Sequence, residues 1–197
     1  MKQASNTPLG IPSMTVQQLQ RSKYMRLSPG ALNLIKDDMP VGDYLEVLTD
    51  RQMYVDALMV LAYAMPIRFA VWWACLCIRE IADRKLQVSE QAVWEAAARW
   101  VLVPTTARRN ALEKPTMACP FDSSLFLLGR SVMFINVELP TAKYTSPVDF
   151  PAKGVHGAIR ASVVNDPERE TEWLQRFLLL GLSVSRGQNL WPTATES

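Results

Sequence analysis

The fold is decided by the most apolar stretch of the chain, ALMVLAYAMPIRFAVWWACLCI, which runs from Ala57 to Ile78. Its apolar residues recur three and four positions apart, the spacing of a helix packed on a core. Pro66 divides the stretch, because proline ends one helix and fits the first turn of the next. Pro66 and Arg68 leave blocks shorter than the roughly 20 residues of a membrane span. We therefore expect a buried helical hairpin, with helices over Asp50–Met65 and Ile67–Asp83.

Two adjacent tryptophans, Trp72 and Trp73, lie in the second helix of this hairpin. Paired indoles sometimes form a stacking platform for a ligand. Here they are surrounded by apolar residues on every side of the helix, and each indole buries a large area in a core. Core packing is therefore the favoured interpretation.

Helical patterns continue on both sides of the hairpin, each with a polar residue suited to capping its start. With eight glycines in 197 residues, the composition also argues against a sheet-rich fold. The sequence thus predicts an all-α domain, residues 41–187, of about seven or eight stacked helices. The further segments are a helix from Asp43 to Leu48, one from Ser89 to Val103, a basic helix capped by Thr105 or Thr106, one from Ala152 to Val164, and a last helix capped by Asp166.

The segment 124–139 is ambiguous, because its two apolar runs are separated by Gly129-Arg130-Ser131. This tripeptide suits a hairpin turn. Alternatively, the first run ends a helix and the second begins an extended loop. We favour the helix followed by a long Pro-rich loop, since a lone hairpin is poorly supported in a helical domain. The prolines of this loop are Pro140, Pro147 and Pro151.

The two ends of the chain differ from its middle. Residues 1–36 contain no Asp or Glu but five Lys or Arg, so residues 1–40 are predicted to be a partly ordered basic leader. Such a leader suits an acidic partner, an anionic lipid or a transit function, but aromatic residues are not interleaved with its basic ones as in nucleic-acid-binding segments. Residues 188–197 are predicted to be a loose tail. The three cysteines have no CxxC spacing, which favours a reducing, cytoplasmic location.

The sequence shows no recognisable catalytic apparatus. His156 is the single histidine and has no companion at metal-ligand spacing. Pairing of His156 with Cys119 as a nucleophile has no local signature, and neither phosphate-binding loop motif is present. We therefore expect His156 to be a hydrogen-bonded or surface histidine, with no cofactor, no metal and no enzymatic activity.

Five segments follow one another in a characteristic order: AVWWAC (70–75), WEAAARWV (94–101), RRNA (108–111), LFLLGRSV (125–132) and AKGVHGAI (152–159). This order resembles a bacterial family of small helical proteins encoded with type VI secretion genes, beside PAAR spike-tip proteins and their adaptor chaperones. Within this family the sequence resembles co-chaperones of the TecT type. The resemblance covers roughly residues 41–182, and it brings no catalytic residues with it.

The resemblance implies a cytoplasmic co-chaperone that binds an effector chaperone and regulates loading of a toxin onto a PAAR tip. Its partners are expected to be proteins, with a homodimer as a further option and no nucleic acid or membrane span. An immunity protein and, less favoured, a small enzyme are the alternatives. The expected partner-binding residues are exposed aromatic and basic side chains, which are common anchors at interfaces. They are Arg108, Arg109, Phe134, Tyr144 and Phe150.

Overall fold

The structure, a computed structural model, describes residues 13–22, 24–81, 86–135, 149–164 and 166–191. These residues form an all-α fold, as the sequence predicts, and the only β-type pairing among them is an isolated bridge between Thr15 and Pro40. Seven of their helices have ten or more residues. In chain order the helices are α1 Val16–Leu19, α2 Pro29–Leu32, α3 Val41–Asp50, α4 Tyr54–Ala64, α5 Ile67–Ile81, α6 Val88–Leu102, α7 Thr106–Asn110, α8 Glu113–Met117, α9 Ser124–Met133, α10 Asp149–Val163 and α11 Glu170–Ser185.

Helix α5 lies at the centre, in contact with α6, α9, α10 and α11. Trp73 is fully buried there, and its Nε1–H donates a hydrogen bond of 2.8 Å to the carbonyl oxygen of Phe177 in α11. Trp72 is partly buried and donates to the carbonyl oxygen of Asn189 at 2.7 Å. Both indoles therefore serve packing inside the protein. Among the described residues, no helix is long and apolar enough to cross a membrane.

The most extensive helix–helix contact joins α9 and α10. Helix α9 begins at the Ser123 side chain, which accepts the N–H of Phe126 at 3.1 Å, and it continues through Gly129-Arg130-Ser131. The Ser131 hydroxyl donates to the carbonyl oxygen of Pro151 at 2.6 Å, holding the start of α10. The preferred helix is thus present but extends to Met133, and residues 124–135 form no hairpin. Residues 136–139 lie outside the described ranges.

The predicted leader contributes to the same core from Ser13 onward. Val16 and Ala31 are fully buried, and the Tyr44 hydroxyl donates to the carbonyl oxygen of Ala31 at 2.7 Å. The carboxylate of Asp56 in α4 accepts two hydrogen bonds from Ser28, one from its N–H at 2.7 Å and one from its hydroxyl at 2.9 Å. Packing therefore extends beyond the predicted domain boundary at residue 41.

Four predicted helix starts are wrong. Asp43 and Ser89 lie inside their helices, because α3 begins at Val41 and α6 at Val88. The other two, at Asp50 and Asp166, each have a local cause. Asp50 is the last residue of α3, and α4 begins only at Tyr54, after a turn in which Gln52 has φ of +56°. Asp166 does not cap α11, because its carboxylate instead accepts the indole N–H of Trp173 at 3.0 Å. The predicted cap at Thr105 is confirmed, since its side chain accepts the N–H of Arg108 at 3.3 Å.

The chain beyond α11 returns to α5. The guanidinium of Arg68 lies 4.3 Å from the ring centre of Trp191, and the ring of Phe69 meets it edge-on at 5.3 Å. Residues 188–191 of the predicted loose tail are therefore docked, and residues 192–197 lie outside the described part of the chain.

Candidate partner-binding site

The single histidine lies within the helical packing, on α10. Its Nε2 atom is buried and has no hydrogen-bond partner, so His156 is neither fully hydrogen-bonded nor a surface residue. Burial lowers the pKa of His156 to about 4, and the positive charge of Arg160 acts in the same direction. The backbone of Val55 and the carboxylate of Asp56 oppose this shift. The imidazole is therefore neutral at physiological pH.

Acidification is expected to destabilise the protein through His156. Its ordinary pKa is 6.5, so below that pH the unfolded chain binds a proton before the folded chain does. The free energy of unfolding should fall by about 3 kcal/mol between pH 6.5 and pH 4, since each unit of pKa difference corresponds to about 1.4 kcal/mol. Urea unfolding across this range measures the effect.

The matched control for this pH series is the variant His156→Asn. This variant lacks the titrating ring. Its free energy of unfolding should therefore fall by about 3 kcal/mol less than that of the unchanged protein over the same pH range. Equal pH dependence in the two proteins would show that other groups cause the acid sensitivity.

The three thiols are poorly suited to act as nucleophiles at neutral pH. Burial raises the pKa of Cys75 to about 12 and that of Cys77 well above its usual range. Burial also raises the pKa of Cys119, which lies near Ser89 and Glu90 at the start of α6. Because the thiolate is the reactive form, all three favour the unreactive thiol. The described residues also contain no group of three or more His, Cys, Asp or Glu placed to hold a metal ion.

A surface depression of about 440 Å³ lies between the end of α2 and helix α3. Carboxylates dominate its lining, and Lys36 is its one cation. Asp38, in the turn before α3, has φ of +52°. The acidic residues of the lining are Asp37, Asp38, Asp43, Glu46 and Asp50.

Two of the expected partner-binding residues meet in space. The rings of Phe134, at the end of α9, and Phe150, at the start of α10, pack edge to face with centroids 4.6 Å apart and planes at 68°. A third ring, that of Tyr24, meets Phe150 from the other side at 6.2 Å and 89°. Three separate parts of the chain therefore supply one row of aromatic rings.

A cation lies at each end of this row. The guanidinium carbon of Arg130 is 4.7 Å from the ring centre of Phe134, and Nζ of Lys153 is 5.5 Å from that of Tyr24. Tyr24 is 43% exposed and Phe134 is 39% exposed, so the rings are open to a partner. We call Lys153, Tyr24, Phe150, Phe134 and Arg130 the aromatic–cation ladder.

Backbone contacts fix both flanks of the ladder. On one side, Ser28 is bound to Asp56, and the N–H of Arg26 approaches Sδ of Met59 at 3.2 Å, which anchors the turn that carries Tyr24. On the other side, the guanidinium of Arg109 donates to the carbonyl oxygen of Ile135 at 2.6 Å. Arg109 thus holds the backbone next to Phe134 and is a positioning residue, outside the ladder itself.

Arg108 lies away from the ladder. Its guanidinium donates to the carbonyl oxygen of Arg99 at 2.6 Å, near the end of α6. Arg68 binds the carbonyl oxygens of Val101 and Leu102 at the same helix end, at 2.6 and 3.0 Å. Arg68 thus satisfies carbonyl oxygens that a helix C-terminus leaves without an intrahelical partner, and Arg108 adds a second donor to the carbonyl oxygen of Arg99.

Sequence reasoning missed three members of the ladder, and Tyr144 lies outside the described residues. Arg130 stands four residues before Phe134, and Lys153 three residues after Phe150. Helical spacing places such pairs on one face, so this signal was available. Tyr24 had no comparable signal, because its partner in the ladder is distant in sequence.

Comparison with known proteins places most of the chain in one family. Residues 44–185 match a family of unknown function (DUF6931), and this range includes every ladder residue except Tyr24. No curated protein and no solved structure matches the chain. Because the match covers well over half of the sequence, the chain belongs to this family of unknown function.

Proposed function

We propose that this protein binds another polypeptide and acts as a co-chaperone in bacterial type VI secretion. In this role it binds an effector's adaptor chaperone in the cytoplasm and regulates loading of the toxin onto a PAAR tip. The type of partner follows from the resemblance of the motifs at 70–75, 94–101, 108–111, 125–132 and 152–159. The ladder supports the general role of polypeptide binding.

The observation that carries the proposal is the aromatic row of Tyr24, Phe150 and Phe134, in which Tyr24 and Phe134 are exposed. Aromatic rings and arginine are enriched among the residues that contribute most to protein–protein binding. They offer a large contact area and lose little conformational entropy, because few bonds rotate. Two of the rings stand at the end of α9 and the start of α10, which favours their positioning before a partner binds.

Copurification tests this proposal. The protein is co-expressed with the adaptor chaperone, PAAR protein and toxin of its own gene cluster, and the chaperone is expected to copurify with it. Replacing Phe134 and Phe150 with alanine should reduce the captured chaperone by about tenfold or more, as hot-spot residues do. Phe121→Ala is the matched control, because Phe121 is 79% exposed and precedes the opposite end of α9.

Two outcomes would contradict the proposal. One is that no adaptor chaperone copurifies although all four proteins are expressed. The other is that the protein protects cells from the free toxin and leaves toxin delivery unchanged, which is the behaviour of an immunity protein.

A further inference from the structure

We infer that the aromatic–cation ladder binds an acidic polypeptide segment in which carboxylates flank a large apolar side chain. This inference rests on the proposed polypeptide-binding function and specifies the chemistry of the partner. It uses two properties of the ladder: its unpaired cations and the exposed rings between them.

The cations of the ladder differ from the four arginines that pair with glutamates. Among the described residues, neither Arg130 nor Lys153 makes an ion pair. Each instead lies over an aromatic ring, where its hydrogen-bond donors stay available to a carboxylate. The arginines that do pair with glutamates are Arg99 with Glu95, Arg160 with Glu170, Arg169 with Glu172, and Arg176 with Glu80.

The charged residues next to the ladder are of both signs. Arg26 is exposed, two residues after Tyr24, whereas Asp149 at the start of α10 is the acidic residue nearest in sequence to Phe150. Cations without an ion-pair partner in the described part of the chain, such as Arg130 and Lys153, attract carboxylates and raise the association rate of an acidic partner.

The rings between the cations suit an apolar side chain. Phe150 is partly buried and makes edge-to-face contacts with both Phe134 and Tyr24. Successive contacts along the ladder measure 4.7, 4.6, 6.2 and 5.5 Å. An extended chain advances about 3.3 Å per residue, so about seven residues are enough to reach both cations with an apolar side chain between them.

The same geometry disfavours a single-stranded nucleic acid. Bases stack on aromatic faces that lie parallel to them, whereas ring planes at 68° and 89° do not form a continuous stacking surface. Nucleic-acid affinity also depends on many phosphate contacts, and the ladder offers two cations.

Fluorescence anisotropy with synthetic probes tests the inference on the full-length protein. The main probe is a labelled peptide of roughly 12 residues, with Asp and Glu on both sides of a central Trp-Leu pair. One matched peptide has Lys in place of the acids, and a second has Ser in place of Trp-Leu. An oligothymidylate of about 12 nucleotides serves as the nucleic-acid probe.

The acidic Trp-Leu peptide is expected to bind at least about tenfold more tightly than any other probe, and more weakly as salt rises. The double variant R130E/K153E should weaken this binding by about tenfold or more. The control K114E/R186E changes two exposed cations away from the ladder by the same net charge and should bind like the unchanged protein. Circular dichroism and thermal unfolding check that both variants are folded.

The inference is overturned if the Lys peptide or the oligothymidylate binds as tightly as the acidic peptide, or if R130E/K153E leaves acidic-peptide binding unchanged in a folded protein. Its failure is distinct from that of the proposed function. A chaperone captured through Phe134 and Phe150 without acidic-peptide binding refutes only the inference. Acidic-peptide binding without chaperone capture refutes only the co-chaperone assignment.

Discussion

Replacing Trp73 with alanine is expected to lower the free energy of unfolding by about 3–5 kcal/mol, the usual cost of removing a large buried aromatic side chain. Trp73 is fully buried in the central helix, and its indole N–H is bonded to the carbonyl oxygen of Phe177. The substitution therefore removes both a large packed volume and a contact between α5 and α11. Urea unfolding followed by circular dichroism measures the change.

The neighbouring tryptophan is the matched control. Trp72 is only partly buried and bonds to the carbonyl oxygen of Asn189, so Trp72→Ala should cost about 1–2 kcal/mol. Equal costs at the two positions would show that burial in α5 does not distinguish the indoles. If Trp73→Ala does not fold, Trp73→Phe supplies the comparison, since it keeps a ring and loses the hydrogen bond.

Gly181→Ala is expected to lower the free energy of unfolding by about 1–3 kcal/mol, although alanine is the better helix former. A Cβ atom at this position in α11 would lie 2.6 Å from Cε2 of Trp73 and 2.7 Å from Cδ2 of Leu61. Both neighbours are fully buried and have little room to move. The clash therefore exceeds the gain in helix propensity, and thermal or urea unfolding shows the difference.

Gly157→Ala is expected to raise the free energy of unfolding. Its added Cβ would meet only Cδ1 of Leu127 in α9 at 3.6 Å, an ordinary van der Waals contact between the two helices. This variant should gain up to about 1 kcal/mol from helix propensity. A stabilised Gly181→Ala, or two glycine variants with the same effect, would contradict the close packing of α11 on α5 and α4.

Much of the fold followed from local sequence patterns. The apolar period and Pro66 predicted α4 and α5, because a helix that is apolar around most of its circumference has to lie inside. Helix starts were harder, since a polar side chain has several competing partners. Asp166 binds the indole of Trp173 in place of the backbone, and sequence spacing alone does not reveal that choice.

The site was predicted only in part for a similar reason. Phe134 and Phe150 were predicted as partner-binding residues from their sequence, whereas Tyr24 reaches the ladder through a turn anchored by Ser28 and Asp56. Such a contact depends on tertiary packing of distant segments. Arg109 was expected to be a partner-binding residue, but its hydrogen bond to the carbonyl oxygen of Ile135 arises from the path of the backbone beyond α9.

The anchoring of Ser28 by Asp56 has a thermodynamic consequence. Tyr24 belongs to the ladder only while this turn is seated, so a molecule that touches Tyr24 selects the seated conformation. The two equilibria are linked. If the seated turn increases the affinity of the ladder for a ligand by some factor, then a bound ligand must stabilise the seated turn by the same factor. Binding of a ligand to the ladder would then slow amide hydrogen exchange at Ser28, although Ser28 is not part of the ladder.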